Sequence, residues 1–359
     1  MNPFIAATDA TYHRPIIAAP ESVVSDGHFN LGCYNTPFLR ANLLQANRPY
    51  WLPLPRAVKY RRLREWQAFQ IMGSDHFVMI ALYNAKLTAL AQCIVYDIKD
   101  NFKLKYEAEV SPSKIILPDT LFGGIGAYRS PRFNIETEND AAAGKLQITV
   151  TAKKFQKMPD LHATFVAQHN WQQYEPISVC MPFSSRKAMY SYKTLLPVQG
   201  QIYFGKDIVY MSSSNSALIM DDHKGFYPRP TMYRWATGLG YDKQNNLLGF
   251  NLTRNQVKQP ELYNENGFWY NGSLSPLPPV QFFRPDDTNG DWIIKDEYGW
   301  IDLRFTPMSH TYFNKNLWLV RSKYYAPYGR FNGHLRHKNG QMYAINDLFG
   351  MCEDFYLKL

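Results

Sequence analysis

Between residues 221 and 238 the chain reads Asp-Asp-His-Lys-Gly-Phe-Tyr-Pro-Arg-Pro-Thr-Met-Tyr-Arg-Trp-Ala-Thr-Gly. Two adjacent carboxylates, Asp221 and Asp222, precede His223, and Tyr227, Tyr233, Arg234 and Trp235 follow closely. Neighbouring carboxylates cannot both ionise at low cost away from water, so one is expected to keep a proton. A histidine beside them can accept, donate or orient that proton. Asp222 and His223 are therefore the candidate catalytic pair. Asp221, Tyr227, Tyr233, Arg234 and Trp235 are candidates for ligand contact. The same residues also fit a turn whose Asp side chains cap backbone N–H groups, with His223 stacked on Tyr227.

Asn264, Glu265 and Asn266, followed by Gly267, Phe268 and Trp269, form a second polar and aromatic cluster. Glu265, Asn266 and Trp269 join the ligand-contact candidates, as does Trp66. Asn271 and Gly272 predict a type I′ hairpin. Asp221 and His223 with Glu265 or Glu353 have the donor types for a metal, but no second His or Cys lies near them in sequence, and no metal is expected. No Gly-rich dinucleotide loop opening a helix, Walker motif, His-Glu-x-x-His or Gly-x-Ser-x-Gly occurs, so no cofactor is expected.

The densest basic segment, Lys59 to Arg64, reads as a strand at a solvated edge or barrel rim. Basic residues beside aromatics also suit a nucleic-acid or other interaction surface.

These side chains must be carried by strands. The clearest alternation is Leu146, Ile148, Val150 and Ala152 against Gln147, Thr149, Thr151 and Lys153, a period of two with one buried face. Apolar runs at 66–72 and 77–83, separated by Gly73, Ser74 and Asp75, predict a hairpin. Further strands are expected over 200–204, 247–253, 300–306, 317–322, 329–335 and 341–345, and loops at 276–279 and 286–291. Helical periodicity is nearly absent, with a turn or two expected at 40–47 and 212–219. Of the 359 residues, 45% are hydrophobic, 15% aromatic and 19% charged, which describes a globular, β-rich chain. Short, regularly spaced strands predict an all-β fold of two antiparallel barrels or curved sheets packed together. The expected division is an irregular lead-in over 1–25, a β domain over 26–190 and a second over 191–359.

The net charge of +9 permits acidic partners. The four cysteines, Cys33, Cys93, Cys180 and Cys352, lack metal-ligand spacing, and buried free thiols are expected. No apolar run approaches the length of a membrane span, and no secretory leader pattern opens the sequence, so a cytoplasmic setting is the default expectation.

An ordered set of motifs adds to this reading: Arg62-Leu-Arg-Glu-Trp66; Met181-Pro-Phe-Ser-Ser-Arg-Lys; Asp222-His223-Lys-Gly225-Phe-Tyr-Pro228; Trp235-Ala-Thr-Gly238; Asn264-Glu265-Asn266; Asp302-Leu-Arg-Phe-Thr-Pro307; Tyr328-Gly-Arg-Phe-Asn-Gly333; and Leu348-Phe-Gly350-Met-Cys-Glu353. Over roughly residues 26–359 the chain resembles the bacterial and protist domain-of-unknown-function family 2804. It is similar more widely to the two-domain lipocalin-like proteins that include carotenoid 1,2-hydratases and some Diels–Alder-type cyclases. That resemblance implies two packed lipocalin-like barrels. The hydratase stretch His-Asp-His-Asn-Trp-Gly aligns its Asp-His core with Asp222 and His223, while Asp221 replaces the first His and Lys224 stands for the Asn-Trp pair.

The expected function is binding of an apolar lipid- or terpenoid-like molecule, with cofactor-free acid-catalysed hydration, elimination or cyclisation, a lyase or isomerase type of activity. A non-catalytic carrier or chaperone and a basic interaction module are the alternatives. Nucleic acid and a membrane span are not expected among the partners, and peripheral membrane contact is left open.

Overall fold

The computed structural model describes residues 11–50, 52–285, 290–317 and 320–358. Residues 1–10 of the expected lead-in, 286–289 of the expected loop, 318–319 of the strand expected over 317–322, and Leu359 lie outside them. The chain is all-β, with one short α-helix among the described residues, and its strands build two large antiparallel sheets. One sheet is nearly closed into a barrel, and the other forms a half-barrel against it.

Alternation explains the barrel wall. Leu146, Ile148 and Val150 are buried and pair in register with Ala167, Phe165 and Ala163 of the Leu161–Gln168 strand. The hairpin expected around Gly73 forms from Arg64–Met72 and His76–Asn84. Asn271 and Gly272, with φ of 48° and 83°, turn the Gly267–Tyr270 strand into Ser273–Pro276, because a type I′ turn needs two left-handed residues.

Three apolar cores result. Phe69, Tyr106, Phe133 and Phe165 fill the barrel. Phe250, Trp292, Phe305 and Phe331 fill the concave side of the second sheet. Between the sheets lies a third core with Phe77, Tyr96, Leu195, Ile219, Leu239, Trp269 and Phe349. There Tyr96 stacks on Phe349 at 5.5 Å and Phe77 meets Tyr328 at 5.5 Å, joining the two halves by aromatic contact.

Two expectations of local structure are corrected, at residues 56–62 and 221–223. The chain crosses from one sheet to the other between Gly225 and Thr231. The 17-residue Ala188–Phe204 strand runs through the expected junction without a break and belongs to the barrel together with Ala217–Gly225. Residues 56–62 form the helix Arg56–Arg62 instead of a strand, with Pro55 at its start and Lys59, Arg61 and Arg62 in its last turn, where cations suit the helix dipole. Asp221, Asp222 and His223 lie inside the continuous Ala217–Gly225 strand, not in a turn. The four cysteines are free and buried. Among the described residues no helix is long and apolar enough to cross a membrane.

Candidate functional site

The Ala217–Gly225 strand is buried along its whole length, because Ala188–Phe204 flanks one edge and Arg64–Met72 the other. Its side chains alternate between the barrel interior and the space between the sheets. Asp222 therefore points with Leu218, Met220 and Lys224 into the barrel, while Asp221 and His223 point with Ala217 and Ile219 toward the second sheet. Residues adjacent in sequence are thus separated by the thickness of a strand, and His223 takes Asp221, not Asp222, as its carboxylate partner.

Cross-strand register assembles the outward face. Ser191, His223 and Trp66 lie opposite one another on three neighbouring strands, and Lys193 and Asp221 lie opposite one another next to them. Nε2 of His223 is 2.8 Å from Oδ1 of Asp221 and 3.0 Å from both Ser191 Oγ and Lys193 Nζ. Lys193 Nζ is 2.6 Å from Asp221 Oδ1 and 3.6 Å from Oε2 of Glu265, which approaches from the second sheet. Glu265 Oε2 is 3.3 Å from His223 Nε2. All four charged side chains are almost wholly buried. Lys193 occupies the centre between the two carboxylates, the place a bound cation would take. Among the described residues no group of three His, Cys, Asp or Glu is arranged to hold a metal.

Burial by itself would depress the His223 imidazole, but Asp221, with Glu265 behind it, more than offsets this and holds it above the ordinary value. Burial would raise Asp221, yet His223 and Lys193 hold it below the usual carboxylate range. Glu265 is likewise held low against its burial, first by Lys193 and then by His223. The site thus favours an imidazolium between two carboxylates and an ammonium. Nδ1 of His223 is buried and has no protein partner.

Aromatic surface encloses this group. Trp66 stacks on the imidazole, with ring centroids 4.4 Å apart and planes 12° from parallel, and Tyr227 stacks on the other side of Trp66 at 5.6 Å. Trp66, Tyr83, Tyr233, Tyr324 and Phe355 are only half-buried; Trp66 meets Tyr83, and Phe355 meets both Tyr233 and Tyr324. Glu353 of the second sheet accepts hydrogen bonds from Tyr233 at 3.0 Å and Tyr324 at 2.7 Å, and its burial raises it above the usual carboxylate range.

The remaining candidates separate by place. Trp235 Nε1 donates to Asn251 Oδ1 at 2.6 Å, and Asn251 Nδ2 donates to the Glu265 carbonyl at 2.8 Å, so Trp235 acts as a prop under Glu265. Asn266 bonds Thr253 N–H and the Pro278 carbonyl, which makes it scaffold. Trp269 is buried and donates to the Glu175 carbonyl at 2.7 Å. Arg234 donates to the Phe282 carbonyl at 2.8 Å and faces Asp354, away from His223.

Inside the barrel, Lys224 Nζ is 3.0 Å from both Glu65 Oε2 and Asp119 Oδ1, and Lys86 pairs with the other oxygen of Glu65. Burial raises Asp222 to about 6, although Lys224 and His223 act in the opposite direction. Ser191 and Lys193 escaped the sequence reading. Their signal is a serine and a lysine two apart within an apolar stretch, which only the strand register turns into contacts with His223 and Asp221.

The same architecture occurs in solved structures. CghA with Sch210972 superposes with a TM-score of 0.55 and 9% identity over 95% of this chain and 98% of that one. Another CghA structure gives 0.53 and 11% over 99% of both chains. Kievitone hydratase from Nectria haematococca gives 0.48 and 10% over 82% and 88%. At these identities the likeness to CghA is one of fold. A search among curated protein sequences returned no match. Residues 15–359 match the model of the domain of unknown function DUF2804, and the chain belongs to that family.

Proposed function

We propose that the half-buried aromatic side chains between the sheets form a groove that binds a small, largely apolar molecule and that His223 exchanges a proton with it, without a cofactor. The observation that supports this most is the asymmetry of the imidazole: Nε2 is held by Asp221, while Nδ1 is buried with no protein partner. In the imidazolium, Nε2–H faces Asp221 and Ser191, and Nδ1–H is the proton left to give. Asp221 and Glu265 favour its charge, and Ser191 helps to hold the ring.

An imidazolium is too weak an acid for an isolated alkene, so the substrate class is an activated one, such as an enol ether or the enol form of a conjugated carbonyl compound. The Nδ1–H bond breaks as a C–H bond forms. The resulting cation faces the rings of Trp66 and Tyr227, then either takes up water, whose proton passes to the neutral imidazole, or loses a neighbouring proton to that imidazole. The first outcome is hydration and the second isomerisation. That CghA, which shares the fold, has been crystallised with Sch210972 supports a small-molecule ligand here.

The test is incubation with terpenoid and polyketide-type conjugated carbonyl compounds in deuterated water, read by mass spectrometry for deuterium in the substrate. Incorporation that disappears in His223→Gln while the compound is still retained supports the proposal. Retention without incorporation by the wild type would instead make the protein a carrier.

A further inference from the structure

The basic segment found in the sequence has a structural destination. The Arg56–Arg62 helix sits beside the Phe226 to Pro230 loop, and the two flank a shallow, open cleft of about 20 Å³ lined by Tyr50, Arg62, Arg64, Tyr227 and Arg229. Lys187 joins it with Nζ 4.9 Å from the centre of the Tyr50 ring, over which Arg62 also lies at 5.9 Å. Arg64 donates to Thr231 Oγ1 at 3.0 Å. Like charges converge here. Burial and then Arg62 and Arg64 push Arg229 down, and burial, Arg229 and Arg62 push Lys187 down. Among the described residues no carboxylate forms an ion pair with Arg62, Arg64, Lys187 or Arg229, of which Arg64 and Lys187 are half-buried and Arg62 and Arg229 exposed.

A second feature points the same way. The Tyr227 ring lines the pocket and continues through Trp66 to His223. Cations without a carboxylate partner thus stand at one end of the aromatic path that ends at the imidazole.

We infer that this pocket binds the anionic head group of the ligand, a carboxylate or phosphate, and that the apolar body extends along Trp66 toward His223. The inference rests on the groove reading above and adds a charged terminus to it. Arg62, Arg64 and Arg229 supply planar forks for the anion, and Lys187 adds a point charge. A small molecule fits better than a nucleic-acid strand, because the cations converge on one pocket instead of following a groove.

The experiment measures binding of palmitate, hexadecyl phosphate, hexadecanol and inorganic phosphate by tryptophan fluorescence and calorimetry. The proteins are the wild type and the double variant Arg62→Gln, Arg229→Gln, and thermal melting checks that both fold. One or both charged amphiphiles are expected to bind the wild type at least about tenfold tighter than hexadecanol, with the preference lost in the variant and hexadecanol affinity unchanged. A preference for hexadecyl phosphate matched by inorganic phosphate assigns a phosphate source, and a preference for palmitate assigns a carboxylate. Equal affinity for alcohol and acids overturns the inference but leaves the groove. Inorganic phosphate bound through the two arginines, with no amphiphile bound, keeps the anion pocket and removes the groove. No binding by any probe overturns both. A single-stranded oligonucleotide that binds and loses affinity in the same variant would overturn the small-molecule assignment.

Discussion

The two faces of the Ala217–Gly225 strand carry similar side chains to different ends. Facing the barrel, Lys224 meets Glu65 and Asp119, so it retains a carboxylate if either contact is lost, and Glu65 is shared with Lys86. Facing the second sheet, one lysine holds together Asp221, His223 and Glu265, and the imidazole keeps an unpartnered nitrogen. The barrel network is redundant at Lys224, and the outward one depends on a single lysine and is incomplete. Buried polar groups are normally satisfied, so the incomplete face is where function is to be sought.

Removing the central cation breaks the comparison most severely. Lys193→Met leaves Asp221 and Glu265 as buried charges facing each other, and a loss of about 3–5 kcal/mol in urea denaturation is expected. Adding Asp221→Asn and Glu265→Gln to that variant is expected to restore most of it. Lys224→Met on the redundant face is expected to cost less, because Glu65 keeps Lys86. Equal losses from the two lysine variants would refute the distinction.

Asp222 gives the next effect, and its sign is opposite to that of an ordinary paired carboxylate. Its folded value is raised from 3.8 to about 6, so the contribution of its protonated form is full below 3.8 and lost as pH rises through about 6. Asp222→Asn keeps a neutral side chain at every pH. It is expected to be more stable than the wild type above pH 6, by on the order of 3 kcal/mol, and to lose that advantage on acidification toward pH 4. Denaturation curves across this range decide it. A variant that is less stable at pH 7 would show that the Asp222 carboxyl is not raised in the native state.

This outcome also shows where sequence reading reached its limit. The alternation of Leu146, Ile148, Val150 and Ala152 exposed the barrel wall, because one face there meets water and the period is visible. Asp221, Asp222 and His223 were picked out by residue type, but both faces of their strand are buried, so no change of polarity marked the direction of each side chain. Read as a turn, Asp222 and His223 look like partners. In a strand they cannot be, and the pairing moves to Asp221. Glu265 was visible as a carboxylate among amides and aromatics. Lys193 was not, since its meaning depends on a register set between strands far apart in sequence. The helix Arg56–Arg62 was missed because a seven-residue element is too short for its period to show against a local alternation of charge.

A titration sharpens the same contrast within the outward face. His223 lies above its ordinary value because Asp221 outweighs burial, so the stability it contributes is present below about pH 6.5 and is lost as pH rises through the folded value. Replacement of Asp221 by Asn removes the larger of the two opposing carboxylate effects and leaves burial and Lys193, both of which disfavour the imidazolium. The His223 resonance in NMR is therefore expected to titrate above the ordinary histidine value in the wild type and below it in Asp221→Asn. An unchanged midpoint would assign the control to Glu265.

The smallest expected effect concerns the aromatic cover. Trp66 stacks on the imidazole on one side and on Tyr227 on the other, whereas the barrel face has no ring stacked on Lys224 or Asp222 among the described contacts. An imidazolium against an indole gains cation–π attraction that a neutral ring lacks. Trp66→Phe weakens that attraction and removes part of the buried area, so a stability loss of about 1 kcal/mol is expected. The loss should be larger at pH 5 than at pH 9, because the lower pH keeps His223 charged. Urea denaturation of this variant at the two pH values measures the difference. If the loss is the same at both, Trp66 serves as apolar cover alone, and the charge on His223 is held by Asp221 and Glu265 without help from the ring above it.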